Sequence, residues 1–341
     1  MSASSVSTQI QLVARPVGWP TAADFRTVSV DLPELSPGEV RVANEFVSVD
    51  PYMRGRMNEV KSYVPAFDLG ATLTGGAVGR VSASASPSHV VGDLVVHQSG
   101  WRDIAQGAAE DFRVVAELPG VPVSAYLGVL GMPALTAYVG LLTVAGLKEG
   151  DTVFVSGAAG AVGSMVGQIA RIKGAKRVIG SAGSADKVDL LRSRYGFDDA
   201  FNYKDGAVRQ QLAAAAPEGI DVYFDNVGGD HLEAALGALN VNGRAALCGA
   251  ISLYNATHAT AGPRNMANIV TRRLSLRGFI VSDHTSQLSA FSADMAGWLR
   301  SGAVVFDETV VDGIENTVDA FLGLMRGDNI GKMVVRTVAA G

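Results

Sequence analysis

Between Val40 and Val49 the run VRVANEFVSV alternates apolar and polar residues with a period close to two, which predicts a strand with one buried face. Val78–Val81, Val90–Val96 and Phe112–Val115 are shorter apolar runs punctuated by Gly, Pro, Ser and Asp. Their spacing predicts a β-rich first part, a small barrel or sandwich. Ser82–Ser88 (SASASPS) reads as an exposed turn within it.

After about Tyr126 the pattern changes. Met132-Pro133 opens a helix, with proline suited to a first helical turn. From Asp151, strands and helices alternate: strand 152–156, helix 161–173, strand 177–181, helix 186–195, strand 200–203, helix 207–216, strand 220–225, helix 231–239, strand 244–248 and, after a long loop, strand 274–281. This alternation predicts an α/β doubly wound parallel sheet. The tail has an amphipathic helix over 315–325 and a strand over 332–335 that do not continue the alternation, so it is expected to return to the first domain. The domains are set at 1–125 with 302–341, and 126–301.

The chain has 341 residues, long enough for two cores. An apolar share of 48% with 18% charged residues excludes intrinsic disorder. A net charge of −5 argues against nucleic acid or an anionic membrane surface as partner. The uncharged stretches 118–147 and 152–170 are broken by Pro and Gly, so they read as buried elements and not as membrane spans. Cys248 is the single cysteine, which rules out a disulfide framework within the chain. With no export signal read at the N-terminus, a cytoplasmic protein is expected.

Gly157-Ala158-Ala159-Gly160-Ala161-Val162-Gly163 lies directly between a predicted strand and helix. Glycines there permit a tight turn and close backbone approach, and the helix start presents N–H groups to a pyrophosphate. The spacing is GxxGxxG, so the strand–turn–helix context carries the reading. A cofactor with a free 2′-hydroxyl usually meets an acid at the end of the second strand. Here that end reads Ile179-Gly180-Ser181-Ala182-Gly183-Ser184, with Lys187 in the next helix. Room plus a cation predicts NADPH/NADP.

The first domain has no cysteine, and its histidines, His89 and His97, are expected to be partly exposed and not ligands, so no metal is expected. His231 and His284 read as exposed residues at helix starts, Cys248 as inert, and Asp225 as a strand-end cap or turn residue. Without a Lewis acid an activated double bond is a more plausible hydride acceptor than an alcohol.

Several segments resemble the zinc-independent medium-chain dehydrogenase/reductase family. They are Val49–Gly55 (VDPYMRG), Gly131–Tyr138 (GMPALTAY), Ala158–Ala170, Phe201–Lys204 (FNYK), Tyr223–Gly229 (YFDNVGG), Cys248–Asn255 (CGAISLYN) and Asn329–Lys332 (NIGK). The sequence is most similar to its prostaglandin reductase, leukotriene dehydrogenase, alkenal double-bond reductase and curcumin reductase group. The resemblance implies a chaperonin-10-like β-barrel for the first domain and a homodimer. It implies pyrophosphate contacts from Gly160, Ala161, Val162 and Gly163, and a 2′-phosphate region held by Lys187 and Tyr203. Asn226 would sit near the adenine-side ribose or the pyrophosphate. Cys248, Gly249, Ala250, Ile251, Ser252 and Tyr254, with Phe279, Ile280 and Val281, would line the nicotinamide half. Asn329 would reach in from the tail, and Tyr52 and Tyr63 would line the substrate cleft.

The expected reaction is hydride transfer to the β-carbon of an α,β-unsaturated ketone or aldehyde. Tyr254 would donate to the enolate oxygen or the α-carbon, or only orient the cofactor; Tyr52 is the weaker catalytic candidate. Two alternatives stand: a quinone oxidoreductase of the same superfamily, and a cofactor-binding protein without catalysis.

Overall fold

The computed structural model describes residues 5–337. They divide into two compact units, 5–127 with 308–337 and Gly128–Asp307. The chain starts the first unit with β1 (Ser5–Leu12), paired antiparallel to β2 (Phe25–Leu32). Next come β3 (Glu39–Ser48), the short helix α1 (Tyr52–Arg56), β4 (Ala77–Ser84), β5 (Leu94–His97), β6 (Ile104–Ala108) and β7 (Arg113–Val114).

β3 is the alternating run found in the sequence. Val40, Val42, Asn44 and Val47 are buried, and irregularities opposite β4 at Arg41/Val42 and Asn44/Phe46 break the strict period of two. Asn44 can be buried because its amide donates to the Ser99 and Arg102 carbonyls at 3.3 and 2.9 Å. Within the apolar run 90–96 only the C-terminal half is strand. Val90 and Val91 are exposed in a turn that the Asp93 carboxylate closes on the Val90 N–H at 2.8 Å.

Both histidines of this unit correct the expectation of partial exposure, because each is buried and hydrogen-bonded. His97 Nε2 donates to Asn44 Oδ1 at 2.8 Å, and its Nδ1 accepts the Ser99 N–H at 3.1 Å. Burial, with Arg102 nearby, pushes its pKa down to about 3. His89 bridges the Ser88 hydroxyl and the Phe112 carbonyl at 2.9 and 2.6 Å.

The second unit opens with α2 (Met132–Tyr138), which carries Pro133 in its first turn and runs into a π-helical turn, Val139–Val144. The alternation follows: β8 (Thr152–Val155), α3 (Ala161–Ile172), β9 (Arg177–Ala182), α4 (Ala185–Ser193), β10 (Asp199–Asn202), α5 (Val208–Ala215), β11 (Ile220–Asp225), α6 (Gly229–Ala238) and β12 (Leu239–Leu247). Then come α7 (Ala267–Thr271), β13 (Ser275–Gly278) and α8 (Leu288–Ser301). The six strands form a parallel sheet in the order β10-β9-β8-β11-β12-β13. The order reverses between β8 and β11, the place where doubly wound sheets bind ligands. The predicted strand over 274–281 is shorter than expected, since Phe279 leaves the sheet to pack edge-on against Phe224 at 6.3 Å.

The chain returns to the first unit with β14 (Glu308–Asp312), α9 (Thr317–Arg326) and β15 (Lys332–Arg336). That unit's seven-stranded sheet has the order β14-β15-β3-β4-β5-β7, with β6 paired to β3. The terminal strand is thus internal, parallel to β14 and antiparallel to β3. Among the described residues, no helix is long and apolar enough to cross a membrane.

Candidate active site

Ser156 follows β8 and Asp225 ends β11, so the two meet at the reversal of strand order. Ser156 Oγ donates to Asp225 Oδ1 at 3.1 Å, and the Tyr223 hydroxyl donates to the same oxygen at 2.6 Å. The N–H groups of Val227 and Gly228 also donate to it, at 2.9 and 2.8 Å. Asp225 therefore caps the turn after β11, as its sequence position predicts. Burial, with Asp225 next in importance, holds the Tyr223 phenol well above its usual range, so it remains a donor. Asn226 is fastened to Ser156 twice, N–H to Oγ at 3.0 Å and Nδ2 to the carbonyl at 2.8 Å. Sequence reasoning passed over Ser156 and Tyr223. The available signal was a serine ending an apolar strand immediately before the glycines.

The same turn anchors the loop after β12. The Cys248 and Gly249 N–H groups donate to the Asp225 carbonyl at 2.9 and 3.0 Å, and the Ser252 hydroxyl donates to the Val227 carbonyl at 2.6 Å. A methyl group on Gly249 would stand 3.1 Å from the Tyr254 hydroxyl, so glycine lets that phenol lie against the strand end. The loops bearing Asn226 and residues 248–254 thus form one hydrogen-bonded rim. Burial, then Asp225, pushes the Cys248 thiol up to about 12, which makes it a poor nucleophile.

Across the reversal lies the glycine turn. Gly157 has φ +59°, a left-handed conformation that favours glycine. A Cβ on Gly163 would come within 2.4 Å of the Gly157 carbonyl oxygen, so α3 starts hard against the turn. Gly160 differs. It caps α3 with φ −82°, and a Cβ there would meet nothing closer than that same oxygen at 3.4 Å. The fold needs glycine at 163, while at 160 it leaves open space over a helix start.

Beyond β9, Ser184 caps α4 by accepting the Lys187 N–H at 3.4 Å. Gly183 faces Tyr203, whose hydroxyl would lie 2.9 Å from a Cβ at that position. Tyr203 is tied to the end of β9 by its N–H to the Ala182 carbonyl at 3.1 Å. Lys187, Gly183 and Tyr203 thus border one corner that contains no carboxylate before Asp186. Ser181 Oγ, on β9, is buried without a hydrogen-bond partner, the kind of orphaned group that a ligand can satisfy. These features fit a dinucleotide carrying a 2′-phosphate. At the other end of the rim Phe279 lies against Phe224 and the Gly140 backbone, where any Cβ would be 2.5 Å from both rings. Ile280 and Val281 follow it, half-buried, into a 3₁₀ turn.

His231 corrects the expectation of exposure. It does start α6, but its ring is turned inward and buried, stacked parallel to Phe154. His284 is half-buried and edge-on to Phe279 at 6.5 Å.

In the first unit, Tyr52 starts α1 and Arg56, one helical turn on, donates to its hydroxyl. Burial raises the Tyr52 pKa, and Asp50 and Tyr63 push it the same way, so the phenol keeps its proton at neutral pH. Arg56 is held over the Phe67 ring at 3.9 Å and donates to the Pro65 carbonyl at 3.0 Å. Sequence reasoning overlooked it, although its spacing from Tyr52 was visible. Tyr63 is exposed. Asn329 is buried, and its amide donates to the Gly331 carbonyl at 2.8 Å.

Residues 8–115 match a family described as the N-terminal domain of oxidoreductase, and residues 161–296 one described as zinc-binding dehydrogenase. The NADPH-dependent curcumin reductase of Escherichia coli (strain K12) is 40% identical over 95% of this chain and 95% of its own length. The 2-alkenal reductase (NADP(+)-dependent) of Nicotiana tabacum is 42% identical over 96% of each chain. This chain belongs to the medium-chain dehydrogenase/reductase family. Within that family it falls in the zinc-independent group. Among the described residues no group of three or more His, Cys, Asp or Glu is placed to hold a metal ion. The family's two-unit fold is shared with the crystal structure of CurA from Vibrio vulnificus in complex with NADPH. That structure has a TM-score of 0.91 and 42% identity, with 98% of this chain and 100% of that chain covered.

Proposed function

We propose that this chain is an NADPH-dependent reductase that saturates the C=C bond of α,β-unsaturated ketones or aldehydes. One observation carries the reading. The carboxyl ends of β8, β9, β11 and β12, a single sheet edge, bear the open glycine turn, the end of β9 with no carboxylate before Asp186 and with Lys187 beyond it, and the rim carrying Tyr254. NADPH, when bound, supplies the hydride that the substrate β-carbon receives. The N–H groups of Gly160, Ala161, Val162 and Gly163 hold the pyrophosphate, and Lys187 and Tyr203 hold the 2′-phosphate. Asn226, Phe279, Ile280, Val281 and residues 248–252 hold the rest of the carrier.

As negative charge develops on the substrate carbonyl oxygen, the Tyr254 phenol would donate a hydrogen bond to it. The enolate then takes a proton at its α-carbon, from this phenol or from water, and the phenol is reprotonated by solvent. Tyr52, kept protonated, and Tyr63 belong to the substrate-binding surface of the unit assigned to residues 1–125 and 302–341. Dinucleotide binding falls to residues 126–301. The reading also takes the chain as a cytoplasmic homodimer. Supporting the dimer, β13 is an edge strand whose Ser275, Arg277 and Gly278 are exposed, a template for pairing with a second copy.

A panel of alkenals, enones and quinones with NADPH and NADH tests the function. NADPH-dependent consumption of enones or alkenals is expected. Turnover of quinones alone, or NADPH binding without turnover of any acceptor, would overturn it. Light scattering of the purified chain tests the dimer, and a monomer mass would refute it.

A further inference from the structure

The His231 imidazole is the one buried histidine of the second unit among the described residues. It is 4% exposed, and its Nε2 has no hydrogen-bond partner there. A buried, unpaired ring nitrogen is costly beside an apolar side chain of the same volume, so its neighbours matter. Phe201, Phe154 and Tyr223 stack across β10, β8 and β11 with centroids 5.8 and 5.2 Å apart. From α6, His231 lies parallel to Phe154, the middle ring of that stack, at 6.5 Å and 9°. It also meets Tyr203 edge-on, at 5.3 Å and 76°.

Tyr203 is 37% exposed and follows β10. Its ring borders Gly183 and His231, with Lys204 Nζ 5.9 Å from its centroid. Gly183 has no side chain, and Lys204 is exposed. Of these three neighbours, His231 is the one buried side chain. The stack it joins at Phe154 ends on one side in Tyr223, whose hydroxyl is bonded to Asp225. Burial drives the imidazole toward its neutral form, which suits an edge-on ring contact.

We propose that His231 is a positioning residue for Tyr203 and, through that ring, sets the preference for a dinucleotide carrying a 2′-phosphate. The inference rests on the reading that Lys187 and Tyr203 hold that phosphate. An aromatic contact of this kind is worth roughly three- to tenfold in affinity. The effect reaches only a ligand that touches Tyr203 through its phosphate.

The test is fluorescence titration of the full chain with NADPH and, separately, NADH. His231→Leu, similar in volume but without the ring, is expected to weaken NADPH about three- to tenfold and NADH less than about twofold. His231→Phe is expected to restore NADPH affinity. In a Tyr203→Ala background, His231→Leu is expected to add nothing. If His231→Leu does not fold, as judged by thermal melting, His231→Gln takes its place. Equal weakening of both dinucleotides would mean a merely structural role and overturn the proposal, as would unchanged NADPH affinity or a full additional loss without Tyr203. A wild-type chain that binds NADPH no tighter than NADH would instead overturn the cofactor reading on which the proposal rests.

Discussion

Lys332 Nζ donates to Asp50 Oδ1 at 3.0 Å inside the first unit, with both side chains almost wholly withdrawn from solvent. The ammonium also donates to the Val49 and Met333 carbonyls, at 2.8 and 2.9 Å, and Asp50 accepts from the Ser48 hydroxyl. The two segments VDPYMRG and NIGK, 282 residues apart at this pair, are joined by one satisfied buried ion pair two residues before Tyr52. Removing one partner leaves a buried charge uncompensated. Lys332→Met is expected to destabilise the chain by about 3–5 kcal/mol, and the double variant with Asp50→Asn by less. Urea unfolding of the four-member cycle measures this. Additive effects would show that the pair is not coupled.

The two glycines flanking the start of α3 should separate fold from function. Gly163→Ala puts a Cβ 2.4 Å from a carbonyl oxygen, and a loss of stability of about 2 kcal/mol or more is expected. Gly160→Ala is sterically permitted at φ −82° and is expected to change stability by no more than about 1 kcal/mol. Its methyl intrudes where the pyrophosphate is proposed to lie, so NADPH should bind about tenfold more weakly, about 1.4 kcal/mol. Thermal melts and titrations of both variants check the contrast. Unchanged NADPH affinity in Gly160→Ala would remove the carrier from this turn.

Tyr254→Phe isolates the hydroxyl that lies against Gly249. Loss of a preplaced donor to a developing oxyanion should slow the single-turnover rate about a hundredfold, while NADPH affinity changes by less than about threefold. Undiminished turnover would leave Tyr254 an orienting residue only.

His97 makes acid stability measurable at one site. Its folded pKa is about 3 against an ordinary value of 6.5, so the unfolded chain takes up this proton first as pH falls. Its contribution is complete above about pH 6.5 and is lost progressively toward pH 3, at up to about 1.4 kcal/mol per pH unit. His97→Asn should flatten the fall in unfolding free energy below pH 6.5. An unchanged slope would place the titration elsewhere.

The second unit was largely legible because its elements are local. The apolar run at 152–156, the glycines and the helix after them form β8, the turn and α3 within a residue or two. Strand β13 was overestimated because Phe279 is as apolar as its neighbours, and only the space above Gly140 reveals that its ring turns out of the sheet. In the first unit, β1, β2, β6 and β14 escaped notice. Their sequences mix Ser, Gln, Thr and Glu with the apolar residues, and their order comes from partners distant in sequence, such as Ile104–Ala108 on β3. The buried histidines escaped for a related reason. A histidine's pattern does not tell whether Asn44 or Phe154 lies nearby. Glycine spacing located the cofactor turn, but it could not distinguish Gly163, required by packing, from Gly160, which is not.

Because β15 lies between β14 and β3, the first unit is split in the sequence around a contiguous second one. During synthesis, residues 128–307 emerge together and can complete their parallel sheet while β3, already paired with β4 and β6, still lacks β15 beside Phe46–Ser48. The ribosome must deliver the chain through Lys332 before the buried Asp50 carboxylate meets its counter-ion. Until then the Phe46–Ser48 end of β3 presents an unpaired edge, so nascent chains stalled before Lys332 are the form most in need of a chaperone.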